Sequence, residues 1–346
     1  MPPAPLRVAL TLGDCAGIGP ELVLRALAAP ALEKVCRLCV YGSRRLLERV
    51  ADASGVPLPE AVAVLPPERA SEAYRDRHTL LDFPFEAAAT LAPGVVQAPC
   101  GAMAYAWIRA AVRDLQAGHS DALVTAPVNK EALNLAGVHF PGHTEILADL
   151  TGAADPCMAF YSPGLVVSLA TIHESLAGVP GLLGVPGLLR TLRLTHAACL
   201  GFGCDAPRLG VLALNPHAGE HGLFGDEEAR VIVPAIQLAR AEGLDITGPL
   251  VPDTAFTWLA ARPARPPFDA YVAMYHDQGL IPFKMVAFDT GVNVTLGLPL
   301  IRTSPDHGTA FNLAWQGKAS PDSLFSAIAL AARMARTMPL AARAVL

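Results

Sequence analysis

Three histidines stand directly behind apolar runs of strand character. "DAYVAMYHDQG" delivers His276 beside Asp277, Gln278 and Gly279, "PGLVVSLATIH" ends at His173, and "RLGVLALNPHAGE" runs into His217. In α/β proteins, ligands collect at the carboxyl ends of strands, where loops present polar groups. Three neutral imidazoles there suit a zinc-like divalent ion that keeps one position open for substrate. A single strand-end histidine reads equally well as a packed loop residue, whereas three with polar flanks do not. His221 competes for the same role, but His217 lies nearer its strand.

A second group of residues suits an anion. Lys284, Asn293 and Arg302 are donors without a run of neighbouring acids. After the break at Pro141-Gly142, His143 and Thr144 fall where a helix begins, with Thr144 as its cap and Glu145 in its first turn, where negative charge is favoured. The turn "TLGDCAGIGPEL" places Gly13, Gly17 and Gly19 where backbone N–H groups can approach a phosphate or carboxylate. Near the end, "SPDHGTA" precedes a stretch expected to be helical, which would face the Gly308 amide toward a nucleotide. Asp253 in "VPDTAF" is a loop carboxylate available for acid/base work. Glu220 shares a glycine-punctuated loop with His217, and Asp226, Glu227 and Glu228 read as helix-start residues whose charge suits the dipole.

The elements that must position these groups follow a βαβ pattern. "RVALTLG", "VCRLCVYGS", "AVAVLP" and "DALVTAPVNK" read as strands, separated by helices near Arg44 to Ala53 and over "GAMAYAWIRAAVRDLQAG". That order predicts a largely parallel sheet. Residues 69–99 are irregular and contain proline, which predicts a surface excursion or edge strands. "GFGCDA" fits the dinucleotide pattern only formally, because it follows a helix and precedes a strand. No Walker-type loop is present. The pair Cys36 and Cys39 has zinc-ligand spacing but lies in a strand with no second pair, so core packing is the better reading.

At 346 residues the chain fits two α/β domains, and with 52% hydrophobic residues it can fill their cores. The net charge of −5 carries no basic stripe, which argues against nucleic acid. Seven cysteines, an odd number in a long chain, point to reduced thiols and a cytoplasmic location. The N-terminus lacks a signal pattern, and the longest uncharged stretch is broken by proline and glycine, so no membrane association is expected.

Taken together, "TLGDCAGIGPEL", "VTAPVNKEALNLAGVHFPGHTE", "LNPHAGE", "AMYHDQG" and "GVNVTLGLPLIRTSPDHGTA" resemble the 4-hydroxythreonine-4-phosphate dehydrogenase family, the PdxA-like proteins of vitamin B6 biosynthesis and their paralogues. The resemblance covers most of the chain. It implies a two-domain α/β/α sandwich similar to isocitrate and isopropylmalate dehydrogenases, with the active site in the interdomain cleft. On that expectation, residues 1–128 with 290–346 form the cofactor side, and 129–289 the metal-binding and dimerisation side. The family's metal ligands match His173, His217 and His276, one supplied by the partner of a homodimer with a shared active site. Its substrate contacts match His143, Thr144, Lys284, Asn293 and Arg302. The superfamily's cofactor loop looks like "SPDHGTA", which nominates Asp306, His307, Gly308 and Thr309, with Gly13, for NAD or NADP.

The implied chemistry is oxidation of a secondary alcohol next to a carboxylate-bearing carbon, followed by decarboxylation. One divalent metal per subunit, zinc with magnesium or cobalt as alternatives, would act as Lewis acid, and Lys284 and Asp253 are the acid/base candidates. The expected substrate is a small anion, 4-phosphohydroxy-L-threonine giving 3-amino-2-oxopropyl phosphate. Cys15 stands where many members carry proline, Pro305 where valine is usual and Trp315 where a small residue is common. "PVNKEAL" with "FPGHTE" is closer to the paralogous branch, which brings in four-carbon sugar-acid phosphates and cis-dihydrodiols of aromatic dicarboxylates such as terephthalate. From other classes, a zinc hydrolase or a noncatalytic protein binding metal and organic acid would use the same histidines.

Overall fold

The computed structural model describes residues 5–73, 76–261 and 265–338. Among these residues twelve strands follow in chain order. The first six are β1 (Arg7–Thr11), β2 (Arg37–Gly42), β3 (Ala63–Leu65), β4 (Thr79–Asp82), β5 (Ala122–Thr125) and β6 (Cys157–Ser162). The others are β7 (Leu165–Leu169), β8 (Arg208–Leu212), β9 (Asp245–Leu250), β10 (Ala270–Ala273), β11 (Val292–Leu296) and β12 (Arg302–Pro305). Contacts divide the chain into two compact units, one reaching to Ala154 and resuming at Leu298, the other running from Asp155 to Gly297.

In the first unit the strands lie in the order β3, β4, β2, β1, β5, β12, every neighbouring pair parallel. Apolar runs such as Val8–Leu10 and Ala122–Val124 are wholly buried, as a parallel sheet covered on both faces requires. The parallel expectation therefore holds, but one detail changes. β4 comes from the irregular stretch and is an inner strand between β3 and β2 rather than an edge, because Leu80 and Leu81 are fully buried.

Residues 129–154, expected on the metal side from the family resemblance, belong to this first unit. The helix Lys130–Leu135 explains why: a Cβ added at Gly101, on the helix Ala98–Gln116, would lie 2.0 Å from the Ala132 carbonyl oxygen. Only glycine permits that approach. Gly101→Ala is expected to destabilise the protein by about 3 kcal/mol, the upper range for overpacking, measured by urea denaturation; a loss below about 0.5 kcal/mol would contradict this packing.

In the second unit the order is β11, β6, β7, β10, β8, β9. β6 and β7 form an antiparallel hairpin across Pro163-Gly164, where Gly164 takes φ 94°, a conformation natural to glycine. From β7 to β9 neighbouring strands are parallel, so β7, β10 and β8 end on the same edge. Phe160, Val167, Leu169, Tyr271, Leu280 and Phe283 form the core beneath that edge. Cys36 and Cys39 are buried, as core packing demands, and all seven cysteines are free. Among the described residues no helix is long and apolar enough to cross a membrane.

Candidate functional site

The parallel edge of the second unit carries the histidines. Beyond the ends of β7 and β10 the pairing continues: Ala170 N–H donates to the Ala273 carbonyl at 2.8 Å, and the Thr171 hydroxyl to that of Met274 at 2.7 Å. This extension brings the rings of His173 and His276 to 5.9 Å between centroids. Gln278 ties in the neighbouring loop, accepting from Met274 N–H at 2.7 Å and donating to the Ala213 carbonyl just past β8 at 2.7 Å. His276 opens the helix His276–Ala287, and its Nδ1 lies 2.7 Å from Asp277 Oδ1. A carboxylate on Nδ1 fixes the tautomer that leaves Nε2 to bind a metal.

His217 is held differently. It is exposed, takes φ 51°, and sits against the Phe224 ring at 6.2 Å. Among the described residues no three histidine, cysteine or acidic side chains stand together closely enough to hold a metal ion. The chain therefore pairs two of the three imidazoles itself. Their donor chemistry fits a divalent ion that takes a further ligand from elsewhere.

Glu227 and Glu228 do more than favour a helix dipole. Glu228 is buried and turns back to accept from the Leu214 and Asn215 N–H groups, each at 2.8 Å. Glu227 accepts from Asn215 Nδ2 at 2.7 Å. Burial alone would raise the Glu228 pKa, but hydrogen bonds from the Asn215 side chain and from backbone N–H groups hold it below the usual carboxylate value. The sequence signal was available in the three consecutive acids, and the dipole reading hid it.

The first unit builds an anion corner. Arg302, buried on β12, donates from Nη2 and Nε to the Thr125 hydroxyl of neighbouring β5 at 2.7 and 3.2 Å. Burial pushes its guanidinium down to about 9, against the pull of Glu145, so it stays charged at neutral pH. His143 is held well below the ordinary histidine value by burial and then by Arg302. It is neutral at pH 7, and its Nε2 is buried without a hydrogen-bond partner among the described residues. Gly142, not Thr144, caps the helix His143–Thr151, and Thr144 is buried in its first turn. A neutral imidazole, a buried guanidinium and the first N–H groups of a helix together suit an oxyanion.

The glycine turn of the same unit leans on the "DHGTA" loop. Ile18 N–H donates to the Thr309 carbonyl at 3.0 Å, and a Cβ on Gly17 would come within 2.9 Å of that oxygen. Gly13 has φ +69°, and a Cβ there would lie 2.3 Å from the Pro127 carbonyl oxygen. Asp306 N–H is held by the Ser323 hydroxyl at 3.1 Å. His307 Nε2 is buried with no hydrogen-bond partner among the described residues, and the Cα of Gly308 faces open space. Such an open, polar loop fits a nucleotide. Contrary to expectation, no long helix follows: a short turn at Phe311–Leu313 intervenes, Trp315 and Gly317 take positive φ, and the helix starts only at Asp322. Gly308 therefore offers loop amides rather than a helix terminus. Two departures from the family pattern meet here, since Trp315 Nε1 donates to the Cys15 carbonyl at 3.1 Å.

Asp14, in that turn, escaped the sequence reading because an acid in a glycine turn resembles a solvated residue. It is buried, its Oδ1 accepts from Ala16 N–H at 2.8 Å, and its Oδ2 has no hydrogen-bond partner among the described residues. Burial raises its pKa to about 6. A carboxyl shifted upward favours the folded state while protonated, and that advantage is lost as pH rises from about 4 through about 6. Asp14→Asn is therefore expected to exceed the wild type in stability by about 2–3 kcal/mol at pH 8 and to converge on it toward pH 4. Urea denaturation at both pH values checks this; a variant less stable at pH 8 would overturn it.

The remaining nominated residues occupy separate places. Lys284 is half-buried on the helix His276–Ala287, its Nζ 5.7 Å from the centroid of Phe288. Asn293 is half-buried on β11 opposite Phe160, and Asp253 is exposed in the turn after β9.

Comparison with known proteins gives a consistent picture. The family model described as pyridoxal phosphate biosynthetic protein PdxA matches residues 34–331. The chain is 45% identical over 332 residues to a 4-hydroxythreonine-4-phosphate dehydrogenase of Trichlorobacter lovleyi, covering 96% of this chain and 98% of the relative. It is 43% identical over 330 residues to the D-threonate 4-phosphate dehydrogenase of Salmonella typhimurium, covering 95% and 98%. The crystal structure of 4-hydroxythreonine-4-phosphate dehydrogenase from Klebsiella pneumoniae superposes with a TM-score of 0.84 at 40% identity, covering 97% of this chain and 99% of the other.

Proposed function

Because the chain belongs to the family of the pyridoxal phosphate biosynthetic protein PdxA, we propose that it is a metal- and NAD(P)-dependent dehydrogenase of a four-carbon hydroxy acid 4-phosphate. It oxidises the secondary alcohol beside the carboxylate-bearing carbon and releases carbon dioxide from the keto acid. The carrying observation is the buried Arg302 with neutral His143 beside it, a corner whose charge calls for a small anion. The phosphate and four-carbon skeleton common to both named relatives match that demand. We take 4-phosphohydroxy-L-threonine as first substrate, D-threonate 4-phosphate as second, and a terephthalate-type dihydrodiol as third.

When bound, a divalent metal would supply Lewis acidity at the substrate hydroxyl and NAD(P) would supply a hydride acceptor. His173, His217 and His276 are the assigned metal ligands, and Gly13 with Asp306, His307, Gly308 and Thr309 the assigned cofactor contacts. Arg302 and Thr144 hold the anionic end of the substrate, with Asn293 as a further contact. His143, neutral, hydrogen-bonds without adding charge. Lys284 moves the proton, and Asp253 is the second acid/base candidate.

The active form is assigned as a homodimer. Ile281, Met285 and Phe288 recur at helical spacing and are 62%, 80% and 71% exposed, on or just beyond the helix that begins at His276. An apolar stripe of this kind is normally covered, and a second copy is assigned to cover it. The free cysteines support a reducing compartment, the cytoplasm.

The test is NADH formation by metal-loaded protein with the three substrates in parallel. Turnover of either phosphorylated acid supports the proposal, and turnover of the dihydrodiol alone moves the enzyme to aromatic catabolism. Absence of nicotinamide reduction with all three, alongside ester or amide hydrolysis, would replace it with a zinc hydrolase. Tight binding without turnover would indicate a noncatalytic protein.

A further inference from the structure

His217 begins a stretch of backbone that L-residues avoid. His217, Ala218, Gly219, Glu220 and His221 all lie in the left-handed region, with φ of 51°, 54°, 82°, 42° and 55°. Each non-glycine residue there costs roughly 1–2 kcal/mol. Such a run persists only where its surroundings over-determine it.

One carboxylate supplies contacts on both sides of the histidine. Glu228, 5% exposed, opens the π-helical turn Glu228–Ile232. Its Oε1 accepts from Leu214 and Asn215 N–H, two residues that precede His217. Its Oε2 accepts from Asn215 Nδ2 at 3.0 Å, and Glu227 accepts from the same nitrogen. After the histidine, Gly219 packs directly on the same carboxylate: a Cβ there would lie 2.8 Å from Oε2. The turn closes on itself through Ala218 N–H to the Asn215 carbonyl and Phe224 N–H to the Gly219 carbonyl, each at 3.2 Å.

We propose that Glu228 is a positioning residue of the metal centre, fixing the left-handed turn 217–221 so that His217 is presented in one orientation, with Glu227 holding Asn215 in support. The inference rests on the reading of His217 as a metal ligand. Groups that orient a ligand in this way are typically worth 10–100-fold in metal affinity. In this role Glu228 acts on His217 through the backbone of Leu214, Asn215 and Gly219.

The test is titration of the metal-free full-length protein with Co2+, followed through its visible absorption, with thermal unfolding recorded for every variant. Glu228→Ala is expected to weaken Co2+ binding about 10–100-fold. Glu228→Gln, which keeps one oxygen for the two backbone donors while Asn215 retains Glu227, is expected to fall between Glu228→Ala and the wild type. In a His217→Ala background, Glu228→Ala should produce no further weakening. If Glu228→Ala does not fold, Gly219→Ala disturbs the same turn from its other side and is expected to weaken Co2+ likewise. Wild-type affinity in both Glu228→Ala and Gly219→Ala would overturn the positioning role, as would an equal loss with and without His217. Equal Co2+ binding by wild type and His217→Ala would instead remove His217 from the metal site, and the inference with it.

Discussion

Arg302→Met is expected to lower kcat/KM by about 10²–10³-fold while leaving the fold as stable as the wild type or more so. Both halves come from one fact: the guanidinium is buried, 3% exposed, on β12. Replacing a buried charge by an apolar side chain of similar volume is commonly neutral or stabilising by about 1–4 kcal/mol. Substrate, by contrast, loses charge-assisted hydrogen bonds worth about 3–4 kcal/mol at a desolvated site. Arg302→Lys retains charge but not the planar fork, and should fall between. Because burial pushes Arg302 down to about 9, the wild-type kcat/KM should also decline as pH rises past about 9, where the cation is lost. Steady-state kinetics paired with urea denaturation decide the matter. A variant that keeps its activity, or one whose activity and stability fall together, would remove Arg302 from the substrate site.

Much of this corner was legible in the sequence. Arg302 stands out as a cation within an apolar run, and Pro141-Gly142 announces the helix that follows. What the sequence hides is protonation. His143 resembles a cation for an anion to meet, and only its burial beside Arg302 shows it to be neutral. The strand-end histidines were visible because apolar runs mark strands and parallel strands finish on one edge. Their spacing was not: the closeness of His173 and His276 depends on β7 pairing β10, with β8 on the other side, and no local pattern encodes that order. The left-handed turn at 217–221 was equally hidden, since Ala218 and Glu220 carry no preference for positive φ. Its cause lies several residues downstream, in acids that look like ordinary helix-start residues. The missed helix after "DHGTA" fails for a related reason: apolar Phe311, Ala314 and Trp315 have the i, i+3, i+4 spacing of a helical face but serve a turn held by Trp315 on Cys15.

Removing the metal is expected to abolish nicotinamide reduction, by about 10³-fold or more, since Lewis-acid stabilisation of the reacting oxygen is worth several kcal/mol. His276→Ala should reproduce most of that loss in the presence of metal, and Asp277→Asn a smaller one, because the Asp277 carboxylate 2.7 Å from His276 Nδ1 sets the ring's tautomer and orientation. The cofactor contacts are assigned to the other compact unit, so NADH binding, measured by fluorescence, should survive in all three preparations. That separation gives the experiment its force. Loss of turnover with intact NADH binding and restoration by added Zn2+ place the metal at the chemical step rather than in the fold. If the chelated protein and His276→Ala both reduce NAD at the wild-type rate, the histidines are structural. The paired imidazoles at the ends of β7 and β10 would then need another explanation, and Lys284 would have to manage the proton without electrophilic assistance.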